Sequence, residues 1–279
     1  MRYLLYKAVN GISDMLYTIQ RCIIHCEKYN RILLIDTTNG PWFNQPFHNY
    51  ITITHPLLYT EIPPTLHELS TYPREFQGKL NEPYRFYIKD YDLHKNYDED
   101  VLVYSYGGGG IPSYLLQYMT CTELIIALYN KRHSMIPNNY ISIHIRNTDR
   151  QSNLDEFINK YDNTFKNTPL FIASDHAESI RIMKHRYGNH VYTLSTIPDI
   201  PMNGIGFTGC CKIDSSIKHI PYPHTDISNN EFIMDCIIDI LIAAAGNKFY
   251  YTCADSGYSR LINYLHCNKF ILYSLINKK

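Results

Sequence analysis

Residues 140–150 read YISIHIRNTDR, and this stretch decides the fold. Its first seven residues are a strand. His144 and Arg146 lie two apart on it and so point to the same face. Downstream, LFIAS at 170–174 is a second strand, 177–187 a helix and 191–194 a third strand. After a Pro- and Gly-rich loop over 195–228, the spacing predicts a helix over 230–245, a strand over 248–253, a helix over 257–266 and a last strand over 270–273. Strands that alternate with helices predict an α/β fold with largely parallel sheets.

Upstream, residues 3–6 form a strand, Asn10 and Gly11 a loop, and Met15, Leu16, Ile19, Ile23 and Cys26 one side of a helix. The strand RILLID at 31–36 completes a βαβ unit. Residues 37–100 carry repeated prolines and few legible elements. A strand over 101–106 runs into four glycines at 107–110, and a helix over 122–132 follows. Two α/β halves are expected, 1–118 and 119–279, meeting at a cleft of the kind that binds nucleotides beyond the carboxyl ends of strands.

Lysine plus arginine and aspartate plus glutamate each total 26 of the 279 residues, so the net charge is zero. That balance argues against a nucleic-acid binder, whose affinity would rest on a basic face, and gives no support for electrostatic attachment to an anionic membrane. The longest apolar run, 237–245, is too short to span a bilayer, and the first residues lack a signal-peptide h-region. A soluble, cytoplasmic protein is expected. Eight cysteines without paired C-x-x-C spacing read as buried thiols in a reducing compartment, with no zinc site.

Four polar clusters fall where strands end or helices begin. His144, Arg146 and Asp149 form H-x-R-x-x-D; the arginine fork suits a diphosphate, or pairs internally with Asp149 or Asp175. Asp175 follows its strand directly and reads in isolation as a cap of the next helix. Asp235 and Asp239 share one helix face; solvent suits Asp235, whereas Asp239 beside the apolar stretch calls for a partner. In TCADSGYSR, Thr252 to Arg260, the residues Asp255, Ser256, Gly257 and Arg260 bracket a strand-to-helix turn that is either a phosphate seat or a simple cap.

The order of these pieces resembles the α1,6-fucosyltransferase, nodulation fucosyltransferase and protein O-fucosyltransferase group. The resemblance covers residues 140–266 well, 3–36 faintly and 37–118 not at all. It implies a GT-B fold of two Rossmann-like domains, the N-terminal one on the acceptor side. It further implies inverting, metal-independent transfer from a nucleotide-diphosphate sugar to a glycan, with no cofactor. Arg146 would neutralise the departing diphosphate, His144 and Asp239 would contact base or ribose, Ser256 would hold a phosphate oxygen, and Asp175 would line the pocket. Gly11 and Ser13 would let the first loop approach the donor or acceptor. The general base falls among Asp14, Asp149, Asp155 and Glu156, with Asp14 and Asp155 ranked first. Several members of the group carry two adjacent arginines, and Asn147 stands at the second position. GDP-fucose is therefore the first choice of donor and a UDP-sugar such as UDP-xylose the alternative, with a non-catalytic nucleotide- or glycan-binding module behind them. Trp42, Phe43, Tyr84 and Phe86 are candidates for stacking on acceptor sugars, or plain packing.

Overall fold

The computed structural model describes residues 1–8, 11–38, 45–81, 92–105, 108–147, 152–197, 210–213, 216–219 and 229–277. Two units are separately packed, Met1–Thr122 and Glu123–Lys279.

In the first unit the elements run β1 (Tyr3–Lys7), α1 (Ile12–Tyr29), β2 (Ile32–Asp36), β3 (Ile51–Ile53), β4 (Leu58–Tyr59), β5 (Thr71–Tyr72), β6 (Val101–Tyr104) and β7 (Met119–Cys121). Five of them make a parallel sheet ordered β4-β2-β1-β6-β5. The apolar run of β1 sits between β2 and β6 and buries Leu4, Leu5 and Tyr6 completely. Helix α1 covers the sheet with Met15, Ile19, Cys22, Ile23 and Cys26, all fully buried at helical spacing. Arg31, also fully buried, donates to the carbonyls of Tyr97 and Glu99 and so ties the 96–100 segment beneath β2. Strands β3 and β7 pair antiparallel. The short strands β3, β4 and β5 went unread in the Pro-rich region because two or three residues carry no periodicity.

The second unit runs α2 (Glu123–His133), β8 (Ile141–Ile145), α3 (Leu154–Phe165), β9 (Leu170–Ser174), α4 (Ala177–Tyr187), β10 (Val191–Tyr192), β11 (Cys210–Ile213), β12 (Ser216–His219), α5 (Asn229–Ala245), β13 (Lys248–Tyr251), α6 (Gly257–Cys267) and α7 (Lys269–Ile276). Its parallel sheet is ordered β10-β9-β8-β13. Alternation along β8 sorts its two faces. Ile141, Ile143 and Ile145 join Leu154, Ile158, Phe165, Ile180 and Met183 in one apolar cluster with α3 and α4. Ser142 and His144 point to the opposite face, where α5 and α6 lie.

Three sequence expectations give way here. The expected last strand over 270–273 is helix α7, because Ile271, Leu272, Leu275 and Ile276 bury one helical face. Lys269, at its start, bonds the carbonyls of Ala244 and Gly246, taking up orphan acceptors at the end of α5. Helix α3 occupies 154–165, where the sequence predicts no element. The loop over 195–228 includes the antiparallel hairpin β11–β12, with Cys210 opposite His219.

Candidate active site

In both sheets the strand order reverses at the strand that leads into the motifs. From β8 the chain moves to β9 on one side, and β13 later lies on the other; β1 has the same relation to β2 and β6. Ligands of open α/β sheets bind outside the carboxyl end of such a strand. At the end of β8 the backbone itself is pinned: Thr252 N donates to His144 O at 3.1 Å. Arg146 N donates to Thr252 Oγ1 at 3.0 Å.

His144 is 4% exposed, with Nδ1 2.6 Å from Ser259 Oγ and its ring 4.8 Å from that of Tyr258. Burial, aided by the Arg146 charge, pushes its pKa down to about 3, so His144 is a neutral imidazole throughout the physiological range. It can give or accept a hydrogen bond there but carries no charge.

Arg146 pairs with Asp175, Nη1 to Oδ2, at 2.6 Å. Asp175 also accepts from Asn147 N at 3.0 Å. The capping role read for Asp175 falls instead to His176, whose side chain accepts from Ser179 N. Asp175 is thus the counter-charge that aims the guanidinium. Asn147 turns toward α4 and the loop: Nδ2 donates to Ser179 Oγ at 3.2 Å, and Oδ1 accepts from Ser152 N at 3.1 Å. Its side chain organises the loop base where the second arginine of the fucosyltransferase pattern would stand.

On α5, Asp235 and Asp239 are each 6% exposed. Asp235 is not solvated as expected: Arg132 Nη2 lies 2.6 Å from Oδ1, and Thr196 N donates to Oδ2 at 3.2 Å. Burial raises Asp239 to a pKa of about 7, the nearby Ser195 hydroxyl and Arg132 opposing and Asp235 adding to the rise. Tyr258 OH donates to the carbonyl of Cys236 at 2.7 Å, locking α6 to α5. The charges of Asp175, Asp235 and Asp239 all bear on Tyr258, and those of Arg146 and the same three carboxylates on Cys236. His144, Arg146 and Asp175 therefore gather at the β8 switch point, and Asp239 bears electrostatically on the same Tyr258 and Cys236 groups.

Ser256 caps α6, its Oγ accepting from Ser259 N at 3.3 Å. Gly257 opens the helix, while Asp255 and Arg260 are exposed. In the first unit Gly11 is the N-cap of α1 with extended φ and ψ, and a Cβ there would meet nothing within 4 Å. Ser13 is buried in the first turn and Asp14 half-buried beside it. Asp155 and Glu156 are exposed on the first turn of α3. Asp149, Trp42, Phe43, Tyr84 and Phe86 lie outside the described residues. Arg132 and Ser195 escaped the sequence reading, since neither belongs to a motif. Only the fold brings them to Asp239. Among the described residues no three His, Cys, Asp or Glu side chains are grouped to hold a metal ion, and no helix is long and apolar enough to cross a membrane.

No protein-family model matches the sequence, and no curated protein matches it significantly. Solved structures do match by fold. A crystal structure of NodZ alpha-1,6-fucosyltransferase soaked with GDP-fucose superposes with a TM-score of 0.63 at 13% identity, covering 94% of this chain and 92% of that one. NodZ co-crystallized with GDP gives a TM-score of 0.61 at 12% identity over the same shares. Selenomethionine fucosyltransferase NodZ from Bradyrhizobium gives 0.59 at 12%, again over 94% and 92%. The chain has the GT-B fold of these structures, as the motif order implied, with a parallel sheet in each unit.

Proposed function

We propose that this chain is a glycosyltransferase that moves a sugar from a nucleotide-diphosphate sugar to a glycan hydroxyl, with inversion and without a metal. The observation that carries the reading is the Arg146–Asp175 pair, held at 2.6 Å at the strand end beside neutral His144. A diphosphate leaving group accumulates negative charge as the glycosidic bond breaks. A guanidinium already oriented by a carboxylate stabilises that charge without reorganising. Ser256 and the first turn of α6 offer a hydroxyl and backbone amides to a second phosphate oxygen. His144 and Asp239 supply neutral and titratable hydrogen-bonding groups to base or ribose. Asp14 at the β1 switch point is the first choice for the base that deprotonates the acceptor, followed by Asp155.

The likeness to NodZ, soaked with GDP-fucose in one crystal, supports GDP-fucose as donor. Asn147 supports a second reading, a UDP-sugar such as UDP-xylose, because its side chain is committed to Ser152 and Ser179 and adds no cation to the phosphate site. A thermal-shift panel of GDP, UDP, GDP-fucose and UDP-xylose separates them, since a ligand that binds only the folded state raises the melting temperature by an amount set by its concentration over its dissociation constant. Turnover with the stabilising donor, measured as nucleotide release with and without EDTA, completes the test. Loss of activity in EDTA with recovery on adding a divalent ion overturns the metal-free mechanism. Binding without turnover on any glycan leaves a binding module, and no binding at all overturns the nucleotide reading.

A further inference from the structure

Three buried polar atoms around Asp235 have no partner at full hydrogen-bond geometry, Arg132 Nη1, Ser195 Oγ and Asp239 Oδ1, although the Ser195 hydroxyl is close enough to the Asp239 carboxyl to favour its ionised form. They come from α2, from the segment after β10 and from α5. They are neighbours, because Asp235 holds Arg132 at 2.6 Å and the amide next to Ser195 at 3.2 Å, and both Ser195 and Arg132 act on the Asp239 carboxyl. Unpaired buried polar atoms are rare in folded proteins, and each carries the full cost of its lost hydration. Three together, presenting a guanidinium N–H, a hydroxyl and a carboxyl, describe an edge of mixed donors and acceptors whose complement is missing. The segment that carries Ser195 is fixed from behind: Thr196 N donates to Asp235 Oδ2 at 3.2 Å, and Asp235 Oδ1 meets Arg132 at 2.6 Å. Asp235 therefore holds both Arg132 and the segment that presents the hydroxyl.

We infer that Ser195 is a ligand-binding residue of this pocket, its hydroxyl acting beside Asp239 on the polar edge of the bound nucleoside, and that Arg132 and Asp235 are its positioning pair. The inference rests on the nucleotide reading above and adds the residues that read the base. A keto oxygen flanked by ring N–H, common to guanine and uracil, matches the edge: donors from Ser195 or Arg132 meet the oxygen, and the Asp239 carboxyl accepts from the N–H.

The test is calorimetric titration of GDP and UDP into wild type, Ser195→Ala, Ser195→Thr, Asp235→Asn and the Ser195→Ala/Asp235→Asn double variant, with a melting curve of each unliganded protein. Ser195→Ala removes a hydroxyl whose contact with the Asp239 carboxyl falls short of full hydrogen-bond geometry in the free protein, so its unliganded melting temperature stays close to that of wild type. Its affinity for the cognate nucleotide falls roughly three- to tenfold, and Ser195→Thr restores it. Asp235→Asn keeps an acceptor for Thr196 but weakens the hold of Arg132. It lowers affinity in the wild-type background and has little further effect once Ser195 is alanine. Wild-type affinity in Ser195→Ala overturns the inference, as does a lowered melting temperature of that unliganded variant or full additivity in the double variant. Failure of wild type to bind either nucleotide overturns the functional reading, and this inference with it.

Discussion

Replacing Asp239 by asparagine should change how stability depends on pH, and the size of the change follows from the burial of that one carboxyl. Asp239 is 6% exposed. Its pKa rises from 3.8 to about 7, chiefly by desolvation. A carboxyl with a raised pKa binds its proton more tightly in the folded chain than in the unfolded one. Its contribution is therefore most favourable below about pH 4, declines as pH rises through the interval and levels off above about pH 7. Three units at ~1.4 kcal/mol each set the full decline at about 4 kcal/mol. Asparagine has nearly the same shape and does not titrate. The stability of Asp239→Asn relative to wild type should accordingly climb by about 4 kcal/mol between pH 4 and pH 8. Urea unfolding at half-unit pH steps measures this. The difference between the two proteins is the quantity to plot, because His25, His133, His144 and His266, all with lowered pKa values, destabilise both proteins alike as pH falls. A flat difference, or one that falls with pH, would refute the assignment of a buried, uncompensated carboxyl at this position.

Arg146→Ala should weaken nucleotide binding at least tenfold and lower stability by about 1–3 kcal/mol, because the 2.6 Å ion pair that Asp175, 8% exposed, makes with Arg146 is lost; titration and urea melts read the two effects separately. Gly246→Ala should cost about 1–3 kcal/mol, since the new methyl would collide with Ser142 Oγ and lie 3.1 Å from a Tyr140 ring carbon. Adding Ser142→Ala should recover part of that loss in the same melts, because the Ser142 hydroxyl is buried without a partner. A nucleotide that donates a ring N–H to Asp239 should lower the pKa of that carboxyl and release protons near pH 7. Calorimetry in buffers of differing ionisation heat detects this, and buffer-independent heats would contradict it.

The chain itself specified the layering of the second unit. Apolar alternation in residues 140–146, a continuous apolar run in 170–174, and helical spacing in 177–187 and 230–245 are local signals, and each became the expected element. The same local logic placed His144 and Arg146 on one face. Residues 270–273 misled because a four-residue apolar run fits a strand or a buried helix equally, and packing against α5 chose the helix. Side-chain partnerships were beyond the sequence for a different reason. Whether Asp175 capped a helix or held Arg146, and whether Asp235 faced water or Arg132, depended on groups 29 and 103 residues apart along the chain. Burial then set the charge states, making His144 neutral and bringing Asp239 to titrate near neutrality. The sequence by itself determined which polar residues stand at the ends of strands. Tertiary structure alone decided which of them meet, because desolvation and ion pairing depend on distances that chain spacing does not encode.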